Sequence, residues 1–236
     1  MRIKWEITMK GIVNSVYVGK VVPFTRPDSF TGIFKKEVNH LVSVGYEGIE
    51  GDEIGDLKVH GGPEKAVHVY PLEHYKKWKA EFPDCPFFEN AGAFGENFST
   101  IGLDESQVFV GDIFSIGTAV VEVSQGRLPC WKLNDRFDIP YFSEMLQINY
   151  RTGWYFRVIQ QGNVGLGDEI TLINRTNDKW SLQEIMKVIF TKSLDEETLT
   201  SMLELPLVAS WRKLFMKRLL TGAVEDWSPR LHGKKD

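Results

Sequence analysis

Residues 124–133, reading SQGRLPCWKL, place a thiol where a thiol can do chemistry. Cys130 has Arg127 three positions before it and Lys132 two after. Neighbouring cations favour a thiolate over a thiol, and the thiolate is the form that attacks electrophiles or ligates a soft metal. Pro129 fixes its own φ and drives Leu128 towards an extended backbone, so the cysteine lies in a segment with few backbone states. The competing reading is a cysteine buried at a strand end, its flanking cations in solvent, since free cysteines are among the most buried residues.

Two further stretches are polar enough to line a pocket. Residues 51–70 read GDEIGDLKVHGGPEKAVHVY. The turn at Gly61, Gly62 and Pro63 lets backbone approach a ligand closely, and exposed amides in such a turn hold an anion. Lys65 adds a positive charge just after it. His60 and His68 stand eight apart across the turn, but a metal site needs at least one more ligand. Without a ligand, the stretch is a β-turn with a solvated lysine and structural histidines. Residues 92–100, GAFGENFST, carry Glu96 and Asn97 directly after a glycine. These two can present hydrogen bonds to a polar heterocycle, or they mark a strand entry with a solvent-facing glutamate. No Ser-His-Asp arrangement is legible. A Cys-His hydrolase would need His60, His68 or His74 and an orienting carboxylate.

These groups need a scaffold, and residues 11–172 supply mostly short β runs broken by glycine. Candidate strands lie at 12–18, 31–38, 40–44, 108–110, 113–116, 118–124, 154–160 and 169–174. Gly111-Asp112 reads as the turn of a hairpin between two of them. A helix over 72–82, with Leu72, Tyr75, Trp78 and Phe82 on one face, stops at Pro83, and a second helix spans 141–148. Many short strands with few helical periods predict a β-barrel or a β-rich α+β domain. After Arg175 the pattern turns helical. Ser181 and Glu184 have capping-box spacing before an apolar stripe, Asp195 opens a second helix, and Ser210 opens a third that stops at Gly222. A three-helix unit of about fifty residues is marginal alone, so it is expected to pack on the barrel. Trp211, Leu214, Phe215 and Leu219 should face inward. Arg212, Lys213, Lys217 and Arg218 read as a solvated basic face, not a nucleic-acid recognition helix.

The bulk numbers agree with an ordinary globular chain. It has 236 residues, 42% of them hydrophobic, and a net charge of −4. That balance argues against a partner made of phosphate backbone, so no nucleic acid is expected. Residues 1–10 alternate charged and apolar residues and read as a strand without the apolar run of a signal peptide. No run is long enough to span a bilayer, so no membrane association is expected. Two cysteines without a C-x-x-C pair suit a reduced, cytoplasmic protein.

The order and spacing of GDEIGDLKVHGGPEKAV, FGENFST and QGRLPCWKL resemble the MOSC domain, named for the C-terminal part of molybdenum-cofactor sulfurases. The likeness is closest to its stand-alone bacterial YiiM-like branch, in which a three-helix unit follows the domain. It implies a mainly β fold: a MOSC-type β-barrel with a few helices over residues 1–175, then a C-terminal three-helix domain over 176–236. It further implies that Cys130 matches the characteristic cysteine, which either carries sulfur or coordinates molybdenum. Members similar to this chain bind a molybdopterin-type molybdenum cofactor. They reduce N-hydroxylated compounds, hydroxylamino purines among them, with electrons from a separate flavoprotein. On that reading Arg127 and Lys132 attend the metal-bound thiolate. Lys65, Gly61, Gly62 and Lys20 or Lys35 hold the cofactor's phosphate, and His60, Glu96 and Asn97 contact its pterin. The alternative is a sulfur carrier that uses a Cys130 persulfide. One departure stands out: the family's cysteine segment often has proline where this chain has Gly126.

Overall fold

The computed structural model describes residues 9–55 and 61–233. The strands among them are β1 (Lys10–Val18), β2 (Val22–Pro23), β3 (Phe30–Thr31), β4 (Lys36–Val38), β5 (Val42–Gly45), β6 (Gly48–Ile49) and β7 (Val67–Pro71). The series continues with β8 (Phe98–Ile101), β9 (Ile113–Ile116), β10 (Ala119–Gly126), β11 (Trp154–Gln160), β12 (Gly162–Val164) and β13 (Glu169–Asn174). Seven of them form a closed barrel in the order β13-β9-β10-β11-β7-β8-β1, with β1 pairing back onto β13 and β4 added to the edge of β1. Closure removes the unpaired edges that an open sheet would expose. Among these pairings β7 and β8 run parallel, Val69 opposite Phe98, while the others are antiparallel.

The period of two along each strand sorts the barrel wall. Val67 and Val69 of β7, Val121 and Val123 of β10, and Trp154 and Phe156 of β11 point into one apolar core. His68, Tyr70 and Tyr155 alternate to the outer face. There Tyr70 joins a second aromatic core with Tyr75, Trp78, Phe88, Phe94 and Phe142. Tyr70 and Phe94 stack at 3.9 Å between centroids, and Trp78 donates its indole N–H to the Tyr70 hydroxyl at 2.7 Å.

The helices are α1 (Leu72–Glu81), α2 (Lys132–Phe137), α3 (Phe142–Asn149), α4 (Leu182–Phe190), α5 (Glu196–Leu203), α6 (Ala209–Thr221) and α7 (Ser228–His232). The capping box of α4 forms in full between Ser181 and Glu184. Asp195 accepts from the Thr198 amide to cap α5, and Gly222 ends α6 at a φ of 60°. Leu182, Ile185, Met186, Trp211 and Phe215 belong to the same apolar cluster as the barrel interior, so the helical unit does pack on the barrel. No helix among the described residues is long and apolar enough to cross a membrane.

Four expectations need correction. The run 31–38 is not one strand: it splits into β3 and β4, because residues 32–35 turn inward over the segment around Glu53. A Cβ at Gly32 would lie 2.3 Å from the Glu53 carbonyl oxygen. Residues 108–110 form a turn with a single bridge from Phe109 to Ser181. Asp112 holds that turn by accepting from the Phe109 amide and from the Arg175 guanidinium. The hairpin turn sits instead at Gly117-Thr118, between β9 and β10. The basic face of α6 is only partly solvated. Lys213 and Lys217 are exposed, but Arg218 is 1% exposed and donates to the carbonyls of Val188 and Ile189 while pairing with Glu225. Arg212 donates to the carbonyls of Leu203, the last residue of α5, and Leu205 just beyond it. Finally, α6 begins at Ala209 with Val208 as its cap residue, one position before the expected Ser210. The strand expected over residues 1–10 lies outside the described residues except for Met9 and Lys10, the latter opening β1.

Candidate functional site

A cleft opens on the outer face of the barrel where β7 and β11 run side by side. Its lining draws on all three polar motifs: Asp52, Lys65 and His68 from the first, Phe94, Gly95 and Asn97 from the second, Arg127, Cys130 and Lys132 from the third. Ile33 and Lys35 close it from the loop after β3, and Tyr155 comes from β11. The space between them is about 670 Å³ including its open mouth.

Local bonding explains how residues distant in sequence meet here. Asn97 is the hub. Its side-chain oxygen accepts from the His68 amide at 3.0 Å, and its own amide N–H donates to the His68 carbonyl at 2.7 Å. Its carboxamide nitrogen donates to Asp52 at 2.8 Å, and its carbonyl accepts from the Tyr17 amide. Asp52 also accepts from the Gly19 amide at 2.8 Å and forms an ion pair with Lys35. Both partners of that pair are nearly buried. Burial pulls the Lys35 ammonium below its ordinary value, and Asp52 and Glu96 act in the opposite direction. The short 3₁₀ turn Pro63–Lys65 is pinned to the barrel by the Ser124 hydroxyl, which donates to the Glu64 carbonyl.

The cysteine segment leaves the barrel wall at the end of β10. The Arg127 amide donates to the Gly153 carbonyl at 3.0 Å, and the Leu133 amide donates back to the Cys130 carbonyl at 3.1 Å as α2 begins. Gly153 holds a φ of 72°, where a Cβ would stand 2.3 Å from the Val69 carbonyl oxygen, so β7 and β11 meet closely at this corner. Gly126 answers the departure from the family pattern: a Cβ there would lie 2.6 Å from the Met186 sulfur, so α4 packs directly against this point. Cys130 is a free thiol, 7% exposed, on the cleft wall. Tyr155 and Arg127 share a hydrogen bond. Burial pushes the Tyr155 phenol up, Arg127 and Arg230 pull against that, and Cys130 adds to it, so Tyr155 stays a neutral hydroxyl at ordinary pH. Arg127 is itself buried, and its Nη1 has no hydrogen-bond partner among the described residues.

The expected site residues divide accordingly. Cys130, Arg127, Lys132, Lys35, Lys65 and Asn97 line the cleft. Lys132 is spent partly on the rim, where its ammonium donates to the Phe30 carbonyl. Glu96 is a correction. It is fully buried and accepts from the Tyr75 hydroxyl and from the amides of Gly92 and Phe94, so it props the loop and does not face the cleft. Burial raises its carboxyl above the ordinary value, against the pull of those three donors. Lys20 is a second correction: it is exposed and does not line the cleft, and pairs with Glu53 of the lining at 3.0 Å. Gly61 and Gly62 are not among the lining residues, although the Gly62 carbonyl accepts from the Lys65 amide at 2.8 Å. His60 lies outside the described residues. The motif reading missed Asp52, Tyr155 and Arg230. Tyr155 follows from strict alternation along 154–160, since its neighbours Trp154 and Phe156 are core residues. Asp52 was hidden in a Gly-Asp pair that also signals a turn. Among the described residues no group of three or more His, Cys, Asp or Glu side chains could hold a metal, so a metal at this cleft would have to arrive with most of its ligands.

The fold and the cleft together define a β-barrel with a single wall-mounted thiol, and comparison with known proteins places it. The chain belongs to the MOSC domain family: the family matches residues 56–171, and the YiiM-like 3-alpha helix domain matches residues 180–222. MOSC domains are associated with the molybdenum cofactor. Protein YiiM of Escherichia coli K12 is 40% identical over 222 residues, which cover 93% of this chain and 97% of that protein. The crystal structure of YiiM from Escherichia coli superposes with a TM-score of 0.79 and 35% identity, covering 96% of this chain and 98% of that one. A protein named Reductase from Gibberella moniliformis is 34% identical over 211 residues; these span 89% of this chain but 37% of that longer protein.

Proposed function

We propose that this protein binds a molybdenum cofactor of the molybdopterin type in the cleft and reduces N-hydroxylated compounds there. The observation that carries the reading is the buried Arg127, whose Nη1 lacks a partner among the described residues, in a cleft shared with Cys130, Lys35 and Lys65. Arg136, Arg151 and Arg157 also carry a buried guanidinium nitrogen without a partner among the described residues, but of the four only Arg127 lines the cleft, where it fits an acceptor-rich ligand such as a phosphate or a polar pterin. The donor set suits the group: Cys130 is a soft ligand for molybdenum, and Arg127 and Lys65 are the cations for its anionic part. When bound, the cofactor would supply the two-electron redox chemistry, which no side chain of the chain provides.

The overall change is R–NHOH + 2e⁻ + 2H⁺ → R–NH₂ + H₂O, with the electrons arriving from a separate flavoprotein. The chain's own part is to orient and to exclude water. Tyr155 offers a neutral hydroxyl beside Arg127, and Lys35 with Asp52 adds a charged pair to the lining. The reductase name of the fungal relative supports an enzymatic role. Handing sulfur from a Cys130 persulfide to a protein partner is favoured less, because thiol exchange depends on access and this sulfur sits in a residue that is 7% exposed. The test is amine formation from a hydroxylamino purine by protein made in a host that synthesises the cofactor, supplied with a reduced flavoprotein. Turnover supports the reading, and a cofactor-loaded protein that yields no amine contradicts it.

A further inference from the structure

Three backbone groups of the cysteine loop are bound by one residue that lies 101 positions beyond Pro129. The Arg230 guanidinium donates from Nη2 to the Leu128 carbonyl at 2.8 Å and from Nε to the Pro129 carbonyl at 3.1 Å. Its own carbonyl accepts from the Trp131 amide at 2.8 Å. These contacts bracket Cys130 on both sides. The loop belongs to no strand or helix, so without Arg230 these groups would have no secondary-structure partner. Cys130, Tyr155 and Arg127 are the charged or titratable groups that act on the Arg230 charge, which places its guanidinium behind the reactive wall of the cleft.

Arg230 is held in turn by α2 and α3 and by the C-terminal helices. Leu231 is buried in the shared core, and its carbonyl accepts from the Asn134 and Ser143 side chains. Trp227, just before α7, packs edge-on against Phe190 of α4 and donates its indole N–H to Glu225. Glu225 is the partner of the buried Arg218 of α6. A continuous set of contacts therefore runs from α4 and α6 through α7 to the loop that carries the thiol.

We infer that Arg230 is a positioning residue for Cys130: its forked guanidinium clamps the Leu128 and Pro129 carbonyls, and through it the C-terminal segment sets the cysteine loop. The clamp holds for any chemistry at the thiol, and only its consequence for the cofactor rests on the function proposed above. The fork is what matters, since two divergent carbonyls need two donors in fixed geometry, which an ammonium does not supply.

The experiment compares wild type with Arg230→Lys, which keeps the charge and removes the fork. Both proteins are alkylated with iodoacetamide, and the labelling rates of Cys130 and Cys85 are read from their peptides; Cys85, half-buried and far along the chain, is the internal reference. Losing two hydrogen bonds from a charged donor should raise the Cys130-to-Cys85 ratio about tenfold. A ratio equal to wild type would overturn the clamp. Hydrogen exchange on the wild type alone gives a second reading that survives if the variant fails to fold. The Trp131 amide should exchange roughly a hundredfold more slowly than a free chain, as a clamped loop demands, and exchange at the free-chain rate would also overturn the proposal. Molybdenum content of Arg230→Lys should fall relative to wild type. If wild type itself holds no molybdenum, the proposed function fails while labelling and exchange still decide the clamp.

Discussion

Cys130 is the residue on which the chemistry turns, and its surroundings say how its loss should read out. Serine matches its size but is a hard and poorly ionised ligand. Cys130→Ser should fold normally and lose reduction of N-hydroxylated substrates, whereas Cys85→Ser, outside the cleft, should behave like wild type in the same assay. Glu96 makes a different residue-scale prediction. Its carboxyl is raised above the ordinary glutamate value of 4.5, chiefly by burial, so the native state holds that proton to a higher pH than the unfolded state does. Stability from this group is therefore present at low pH and declines as pH rises from 4.5 through the raised native value. Glu96→Gln should melt lower overall, because one amide donor loses its acceptor, but its Tm should fall less steeply across that window than the wild-type Tm. Parallel Tm-against-pH curves would contradict the assignment.

At the scale of elements, the corner where β7, β11 and the cysteine segment meet is the most constrained. Gly153 has a positive φ and no room for a Cβ beside Val69, and its carbonyl accepts from the Arg127 amide. Gly153→Ala should cost about 2–4 kcal/mol and loosen Arg127 as well, which urea unfolding measures directly. The helical unit depends on a buried cation. Arg218→Met would strand the carbonyls of Val188 and Ile189 and remove the cation paired with Glu225. Leaving two buried carbonyls without a donor costs about 1–3 kcal/mol each, so calorimetry should show a clear fall in Tm. A fall small enough for a surface substitution would mean that Arg218 is solvated after all. The strands at 154–160 and 169–174 were legible because alternation and preceding glycines mark their limits, and α4 because its capping box is local. The split of 31–38 was not, since β propensity alone does not reveal that Gly32 passes against the Glu53 backbone.

For the molecule as a whole, the barrel and helical unit share one apolar cluster, and the cleft lies outside it on the barrel wall. The three polar motifs were joined into one site by their resemblance to the MOSC domain, since each read alone also fits a turn, a strand entry or a buried cysteine. What escaped was the contribution of long-range topology. Arg230 lies in a short terminal helix with no local signal, and only the fold brings it against Pro129. Glu96 misled for the converse reason: a polar residue beside a glycine resembles a ligand contact until the loop closes around it. The central claim is that the cleft beside Cys130 holds a molybdenum cofactor, and elemental molybdenum with pterin fluorescence, per folded molecule, tests it most directly. In a host that makes the cofactor, wild-type protein should carry close to one molybdenum and one pterin, and Cys130→Ser should lose most of its molybdenum while melting like wild type. Wild-type protein free of both, or Cys130→Ser with undiminished molybdenum, would contradict the account.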